Sequence, residues 1–251
     1  MMTKTAVETI PPIGRAEVEE LAREEYALVA AQLRSLDTDD WSTQTDCPLW
    51  DVRAMAGHTA GMLATFTGYR TMMASMIAAA FAARRSGEAL VDALTARQVA
   101  DNADLSTSEL IAKIDTVGPR AARWRATRPA LFRKMPMTQA VDGEQETWRM
   151  GYLVEVILTR DPWMHRVDVA RATGRDLALT PEHDGRIIAD VVAEWARRHG
   201  QPFTLTLTGP AGGTYVSGDD GEHITVDAVE FCRTLAGRAT GTGLLGQAVP
   251  F

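Results

Sequence analysis

The spacing of the apolar residues changes near residue 180 of this 251-residue chain, and this change constrains the fold most strongly. Before that point, apolar side chains recur every three or four residues, which is typical of amphipathic helices. After it, "FTLTLTG" (203–209) alternates apolar and polar side chains with the period of two that indicates a strand. The pattern predicts an α+β protein, with a four-helix bundle over residues 10–175 and a small α/β module over residues 180–251.

Capping and breaking residues predict the bounds of the helices. In the bundle we expect four long helices: over 15–36, from Asp51 to about Arg85, from the capping box "STSE" (106–109), and from near Glu146 toward Gly174. Gly118-Pro119 is expected to kink or split the third of these helices. In the module we expect a helix over 180–200, short strands over 203–226 and a last helix capped by Asp227.

Composition argues against several classes of function. The formal net charge of −7 disfavours binding to nucleic acid or to an anionic membrane through a general electrostatic field. Cys47 and Cys232 lie far apart in sequence and form no CxxC pair or disulfide framework, which favours a reducing compartment. No signal peptide is visible, and the most apolar stretch, 72–83, is too short to span a bilayer. We therefore expect a cytoplasmic monomer or homodimer without nucleic-acid or membrane partners.

Three residues are candidates for a metal site. His58 lies on the predicted second helix, where a lone histidine is more often a core residue than a ligand. Asp161 and His165 are four residues apart, so on a helix both side chains lie on one face. The local sequence also allows a second interpretation, because an aspartate directly before Pro162 is typical of an N-cap that starts a helix.

Considered together, the three residues favour the metal interpretation. Facing helices of a bundle deliver ligands into one interior site, and here they would supply two imidazoles and one carboxylate. Three protein ligands leave an open coordination position, which is the composition of a catalytic zinc site, whereas a structural site uses four. Asp168, three residues after His165, is either a partner that orients an imidazole or an exposed carboxylate.

Other residues near the candidates have simpler interpretations. Cys47 is interpreted as a small residue of the turn before the second helix and not as a sulfur ligand. Trp50 and Trp163, which flank the candidate ligands in sequence, are interpreted as wall or core residues.

Two sequence motifs resemble the mycothiol-dependent maleylpyruvate isomerase family, a part of the DinB-like metal-binding bundles. "W-x5-CPLWDVRAMAGHTAG" (41–61) is similar to its first motif, in which a Cys-Pro-Gly-Trp-like turn leads into a helix with a metal-binding histidine. "DPWMHRVDVARATGR" (161–175) resembles its second motif, a carboxylate-x-x-x-His pair on the last bundle helix. The resemblance covers nearly the whole chain, including a small second domain, and is weakest over 70–140.

The resemblance implies a metal-ligand set. His58 and His165 match the two motif histidines, and Asp161 stands where many members have glutamate. The aspartate arm is one methylene shorter, and Glu155 is the fallback for the third ligand. The implied metal is a divalent cation, with zinc as the expected one, and mycothiol is the implied co-substrate.

The resemblance also implies a reaction. A metal-bound thiol loses its proton and becomes a nucleophile for S-transfer to, or cis–trans isomerisation of, a small electrophilic substrate. An arginine of the C-terminal module is expected to hold a substrate carboxylate, with Arg238 preferred and Arg233 as the alternative. Two other functions stay open: a non-catalytic metal- or ligand-binding bundle with a regulatory role, and a protein that has kept the fold but lost the metal.

Overall fold

The computed structural model describes residues 4–141 and 144–251. The helices are α1 (Val18–Arg34), α2 (Val52–Thr65), α3 (Tyr69–Ser86), α4 (Leu90–Ala100), α5 (Thr107–Ala126), α6 (Ala130–Lys134), α7 (Met150–Tyr152), α8 (Leu158–Thr173), α9 (Asp184–His199) and α10 (Ala228–Leu235). The strands are β1 (Lys4–Ala6), β2 (Pro136–Val141), β3 (Glu144–Arg149), β4 (Phe203–Thr208), β5 (Gly213–Ser217) and β6 (Glu222–Asp227). None of these helices combines the length and the apolar composition that a bilayer span requires.

The chain folds into two compact units, and each is built from separate stretches of sequence. The sheet unit consists of Met1–Glu17, Pro129–Met164 and Leu177–Phe251. The helical unit consists of Val18–Arg128 and His165–Asp176. One of the passages between the units falls at residues 176–177, inside the range where the apolar spacing predicts a boundary, while residues 129–164 belong with the C-terminal part of the chain.

The helical unit is a bundle around α1, α2, α5 and the last part of α8. Its helices bury aliphatic and aromatic side chains spaced three or four residues apart, for example Val18, Leu21, Val29 and Leu33 of α1. A buried bidentate ion pair joins α8 to α1, since Arg166 Nε and Nη2 donate to the two carboxylate oxygens of Glu25 at 2.9 and 3.1 Å. This pair fixes the segment of α8 that carries His165.

Helices α3 and α4 are additions to the bundle. They pack against each other, and α4 lies against α2, where an added Cβ at Gly61 would come within 2.7 Å of Gln98 Cβ. Glycine at that position therefore permits the close approach of the two helices. Helix α3 buries only Met72 and Ala79.

The sheet unit contains a four-stranded mixed sheet in the order β1-β5-β4-β6. Strand β4 pairs antiparallel with β5 and parallel with β6, and β1 pairs parallel with β5. Its inward side chains, Phe203, Leu205 and Leu207, alternate with polar threonines as the sequence predicts. Helix α9 ends at Gly200 in the left-handed conformation, and Asp227 caps α10 by accepting hydrogen bonds from the N–H groups of Val229 and Glu230.

The predicted fourth helix begins later than the sequence suggests. Residues near Glu146 form β3, which pairs antiparallel with β2 along its whole length, and the helical conformation starts only at Met150. Side chains of both strands alternate between half-buried and exposed positions, a period-two pattern that the helix prediction missed. The predicted end is confirmed, because Gly174 follows Thr173 with a φ of +65°.

Two other helix predictions are also corrected. The helix that Asp51 caps ends at Thr65, and α3 starts separately at Tyr69. The intervening Phe-Thr-Gly stretch has low helix propensity, and the Thr67 hydroxyl donates to the Ala64 carbonyl at 2.8 Å, which satisfies one of the last carbonyls of α2. Helix α5 passes through Pro119, so the helix is not split there, while the alternative of a kink stays a prediction; the long packed face of α5 against α1 outweighs one lost hydrogen bond.

Candidate metal centre

Helix α2 places His58 in the interior of the helical unit. Asp51 caps this helix as predicted, since its Oδ1 accepts from the Ala54 N–H at 2.7 Å. His58 lies two turns further along, and only 4% of its surface is exposed. An imidazole in such a position must be held by ring contacts, by hydrogen bonds or by a ligand.

The turn before α2 brings an indole ring against this histidine. Trp50 and His58 stack with ring centroids 4.7 Å apart, and Trp50 also meets the edge of His165 at 5.7 Å. The turn is braced by Thr45, whose hydroxyl donates to the Trp50 carbonyl at 2.7 Å, and by Gln44, whose amide donates to the carbonyls of Cys47 and Trp50. Trp50 thus forms a wall of the site, as predicted from the sequence.

The helical run that carries the other two candidates is continuous through Pro162. Residues Leu153–Ile157 form a π-helical turn, and α8 follows directly from Leu158. Asp161 lies in the first turn of α8 and is not its N-cap, so the capping interpretation of Asp161-Pro162 is wrong. Pro162 has no N–H to donate to the carbonyl four residues earlier. The π turn just before α8 contains one extra residue per turn, which changes the backbone hydrogen-bond pattern ahead of this proline.

The imidazole of His165 faces that of His58 on one side and contacts a carboxylate on the other. The ring centroids of the two histidines are 5.1 Å apart, with nearly perpendicular planes. On the other side, His165 Nδ1 lies 3.4 Å from Asp168 Oδ2, and the Asp168 side chain is fully buried. This decides the question that the sequence left open, because Asp168 is the buried imidazole partner and not an exposed helix carboxylate.

The structure brings the three predicted ligands together. One ligand atom from each of His58, Asp161 and His165 lies within 4.8 Å of the other two. Because α8 is a single helix, its geometry fixes Asp161 relative to His165. Two imidazoles and a carboxylate are a donor set that suits Zn²⁺ and related divalent metals, so the residues present fit such an ion.

A second donor group shares His165 with the first. Cys47, His165 and Asp168 also offer ligand atoms within 4.8 Å of one another, and Cys47 Sγ lies 3.9 Å from Asp168 Oδ2. The thiol of Cys47 therefore lies near His165 on the side of the ring that contacts the Asp168 carboxylate. The sequence does not predict the contact between Cys47 and His165, because one residue lies in a turn and the other on a helix far away in sequence.

The fallback ligand and the arginine candidates have local partners. Glu155 forms an ion pair with Arg133 and, within the described part of the chain, belongs to no group with metal-ligand geometry. Arg233 is buried and pairs with Glu230 at 2.7 Å. Arg238, just beyond α10, donates to the Ala236 carbonyl at 3.2 Å. The role of either arginine toward a substrate stays a prediction.

Comparison with protein-family models gives a match over more than half of the chain. Residues 22–170 match the model of the mycothiol maleylpyruvate isomerase N-terminal domain. The chain belongs to this family. The match extends from α1 to α8 and includes His58, Asp161 and His165. The resemblance suggested by the two sequence motifs is therefore confirmed.

Two solved structures are similar over nearly the whole chain. They are crystal structures of the mycothiol-dependent maleylpyruvate isomerase and of a histidine-to-alanine mutant of it. Each is 16% identical in sequence, with a TM-score of 0.56, over 94% of this chain and 93% of the other. At this identity the likeness shows the fold, and it confirms the predicted DinB-like bundle with a small α/β part. No curated protein sequence matches this chain.

Proposed function

We propose that this protein is a divalent-metal enzyme that activates a low-molecular-weight thiol for attack on a small, carboxylated electrophile. Zinc is the proposed metal and mycothiol the proposed thiol, in keeping with the name of the family to which the chain belongs. The observation that carries the proposal is the convergence of His58, Asp161 and His165 within 4.8 Å.

The donor set accounts for catalysis better than for a purely structural role. His58, Asp161 and His165 would hold the metal with three protein ligands, which leaves a position for an exchangeable one. When bound, a divalent metal at such a position lowers the pKa of a coordinated thiol, so that thiolate is present at neutral pH. Asp168 would keep the proton of His165 on Nδ1, and Trp50 would shield the two imidazoles from bulk water.

Two reactions use such a thiolate. Addition to a conjugated cis double bond, rotation about the resulting single bond and elimination of the same thiolate give cis–trans isomerisation without net consumption of thiol. Displacement of a leaving group gives S-transfer, in which the thiol stays in the product. Family membership favours isomerisation, and Arg238 is the proposed anchor for the carboxylate.

Metal content is the first test. The untagged protein should bind close to one equivalent of zinc by inductively coupled plasma mass spectrometry, and His58→Ala and His165→Ala should lose it. His223→Ala, which removes an exposed histidine of β6, is the matched control and should keep the metal. A wild-type protein that stays metal-free after incubation with zinc would overturn the proposal.

A thiol assay separates the enzyme from a non-catalytic metal-binding bundle. The zinc-loaded protein should accelerate the reaction of mycothiol with a cis-unsaturated carboxylate, and the chelator-treated protein should not. Stoichiometric zinc without any thiol reaction would favour the binding-protein alternative. A reaction that persists after chelation would contradict the metal-dependent mechanism.

A further inference from the structure

The sheet unit contains a cavity that the proposed metal chemistry does not use. It has a volume of about 590 Å³ and is lined by Ala130, Arg133, Lys134, Arg149, Gly151, Tyr152 and Glu155. This volume lies within the usual range for small-molecule sites. The lining residues come from α6, from the end of β3 and from the start of the helical run that leads to Asp161.

The cavity is cationic in an acidic protein. Three of its side chains are basic and one is acidic, while the whole chain has a formal net charge of −7. The Arg133–Glu155 ion pair is largely buried and neutralises one cation of the lining. Lys134 and Arg149 have no carboxylate partner among residues 4–141 and 144–251. Two positive charges therefore lie at the cavity without internal compensation.

One of these cations is held in place by the backbone. Arg149 Nη1 donates to the Lys134 carbonyl at 2.9 Å, which uses one of the five N–H donors of the guanidinium. A guanidinium restrained in this way can present further N–H groups to an oxyanion with little loss of side-chain entropy. The same contact holds the backbone of Lys134 beside it.

One lining residue of the cavity, Gly151, is buried and has no side chain. An added Cβ at Gly151 would stand 3.3 Å from the Arg133 carbonyl oxygen and 3.5 Å from Glu155 Oε2. Glycine there avoids a close contact of a side chain with the Arg133–Glu155 pair. Tyr152 adds an apolar ring, since its hydroxyl group is occupied by a 2.8 Å hydrogen bond to Glu194 Oε1.

We propose that this cavity binds the carboxylate group of a small organic anion through Arg149 and Lys134. Arginine forms parallel N–H···O bonds with a carboxylate, and lysine adds a point charge. The ring of Tyr152 and Ala130 provide an apolar side for a short carbon chain. The anion binding does not depend on the proposed metal chemistry.

Succinate is the probe, because it carries carboxylates but no double bond that a thiol can attack. Its binding is measured by isothermal titration calorimetry at low ionic strength, on protein stripped of metal by a chelator, so that coordination to a metal cannot contribute. We expect saturable binding by the wild type and at least a tenfold weaker affinity in Arg149→Gln and in Lys134→Gln. Arg85→Gln, which neutralises an exposed arginine at the end of α3, is the matched control and should bind as the wild type does.

The possible outcomes are distinct from those of the metal test. No succinate binding by folded wild-type protein, or equal binding by all variants, would overturn the cavity proposal and leave the metal centre untouched. Binding of inorganic phosphate with no binding of succinate would overturn the carboxylate assignment. Circular dichroism melting curves identify any variant that fails to fold.

Discussion

At the scale of single residues, the candidate metal centre depends on which nitrogen of His165 carries the proton. Asp168 Oδ2 lies 3.4 Å from Nδ1, and a carboxylate at this position favours the tautomer with the proton on Nδ1. Nε2 is then the atom that can donate its lone pair to a metal. The histidine and the aspartate are three residues apart on one helix, so the fold fixes this relation locally.

Replacement of Asp168 by asparagine tests this orientation. An asparagine amide can donate to Nδ1, which favours the proton on Nε2 and so opposes metal binding. In the Asp168→Asn variant, zinc affinity should fall by about 10- to 100-fold, the usual effect of losing such a partner. Competition with a chromophoric chelator measures the affinity. Asp176→Asn, which changes an exposed carboxylate after α8, is the control, and equal losses in both variants would contradict the orienting role.

The two cysteines differ in environment, and this predicts different reactivity. Burial raises the pKa of the Cys232 thiol above its ordinary value; the charge of Arg160 opposes this shift and that of Asp227 adds to it. Since the thiolate is the reactive form, Cys232 should resist alkylation, whereas Cys47 is partly exposed. Native protein treated with iodoacetamide at pH 8 should gain one adduct by intact mass, at Cys47, and unfolded protein two. Labelling of Cys232 in the native state would contradict the buried placement.

At the scale of elements, local rules predict helices wherever a cap and an apolar period agree. Asp51, Ser106 and Asp227 cap helices as expected, and Gly174 and Gly200 end them. The failures occur where one rule acts alone. The Asp161-Pro162 pair is typical of a helix start, yet α8 continues through it because a π turn precedes it and its neighbours are fully packed.

The residues of the candidate site that lie on helices within the two sequence motifs could be predicted from the sequence. His58, Asp161 and His165 follow from helix positions and from the family resemblance, and the structure brings all three together. The stacking of Trp50 on His58 and the place of Cys47 behind His165 depend on the path of the turn before α2. Sequence spacing carries no information on such contacts between distant parts of the chain.

The β2–β3 ribbon is tied to α9 by a pH-dependent contact. Hydrogen bonds from Arg198 to both carboxylate oxygens of Glu146, at 2.7 and 3.1 Å, lower the pKa of that carboxyl group; burial opposes the shift and Trp148 adds to it. A carboxyl group with a lowered folded pKa stabilises the fold above its unfolded pKa, and this contribution disappears as pH falls through the folded value.

Glu146→Gln should therefore destabilise the protein by about 1 kcal/mol at pH 7, because the pair is partly exposed. The unfolding free energies of wild type and variant should converge as pH falls from about 5 to 3, a range that starts just above the ordinary glutamate pKa of about 4.3 and extends below it. Urea titrations at several pH values measure the difference. A constant difference across this range would show that ionisation of Glu146 does not contribute.

At the scale of the whole molecule, three separate stretches of sequence must meet to complete the sheet unit. One buried network joins them. Arg160 of α8 bonds to Asp190 at 2.6 Å and to Glu194 at 2.8 Å, both on α9, and it donates to the Pro250 carbonyl at 3.0 Å. Asp190 in turn accepts from the Ile13 N–H at 2.8 Å. Ile13 and Asp190, which are 177 positions apart, are thus joined directly, and Arg160 extends the link to Pro250.

Because of this network, Arg160→Leu should reduce the free energy of unfolding more than Glu146→Gln does. Burial alone would lower the pKa of the Arg160 guanidinium, but Asp190 and Glu194 raise it above its ordinary value, so the group stays charged. Arg160→Leu leaves the buried carboxylate of Asp190 without its cation, whereas Glu194 keeps its ion pair with Arg198 at 2.9 Å, and the loss of a buried cation costs about 3–5 kcal/mol. Urea unfolding measures it, with Arg23→Leu as the control, since Arg23 forms an exposed ion pair with Glu19 worth below about 1 kcal/mol. Addition of Asp190→Asn to Arg160→Leu should restore part of the loss, because it removes the uncompensated charge of Asp190. If Arg160→Leu and Arg23→Leu were equally stable, packing around α9, and not this network, would hold the three stretches together.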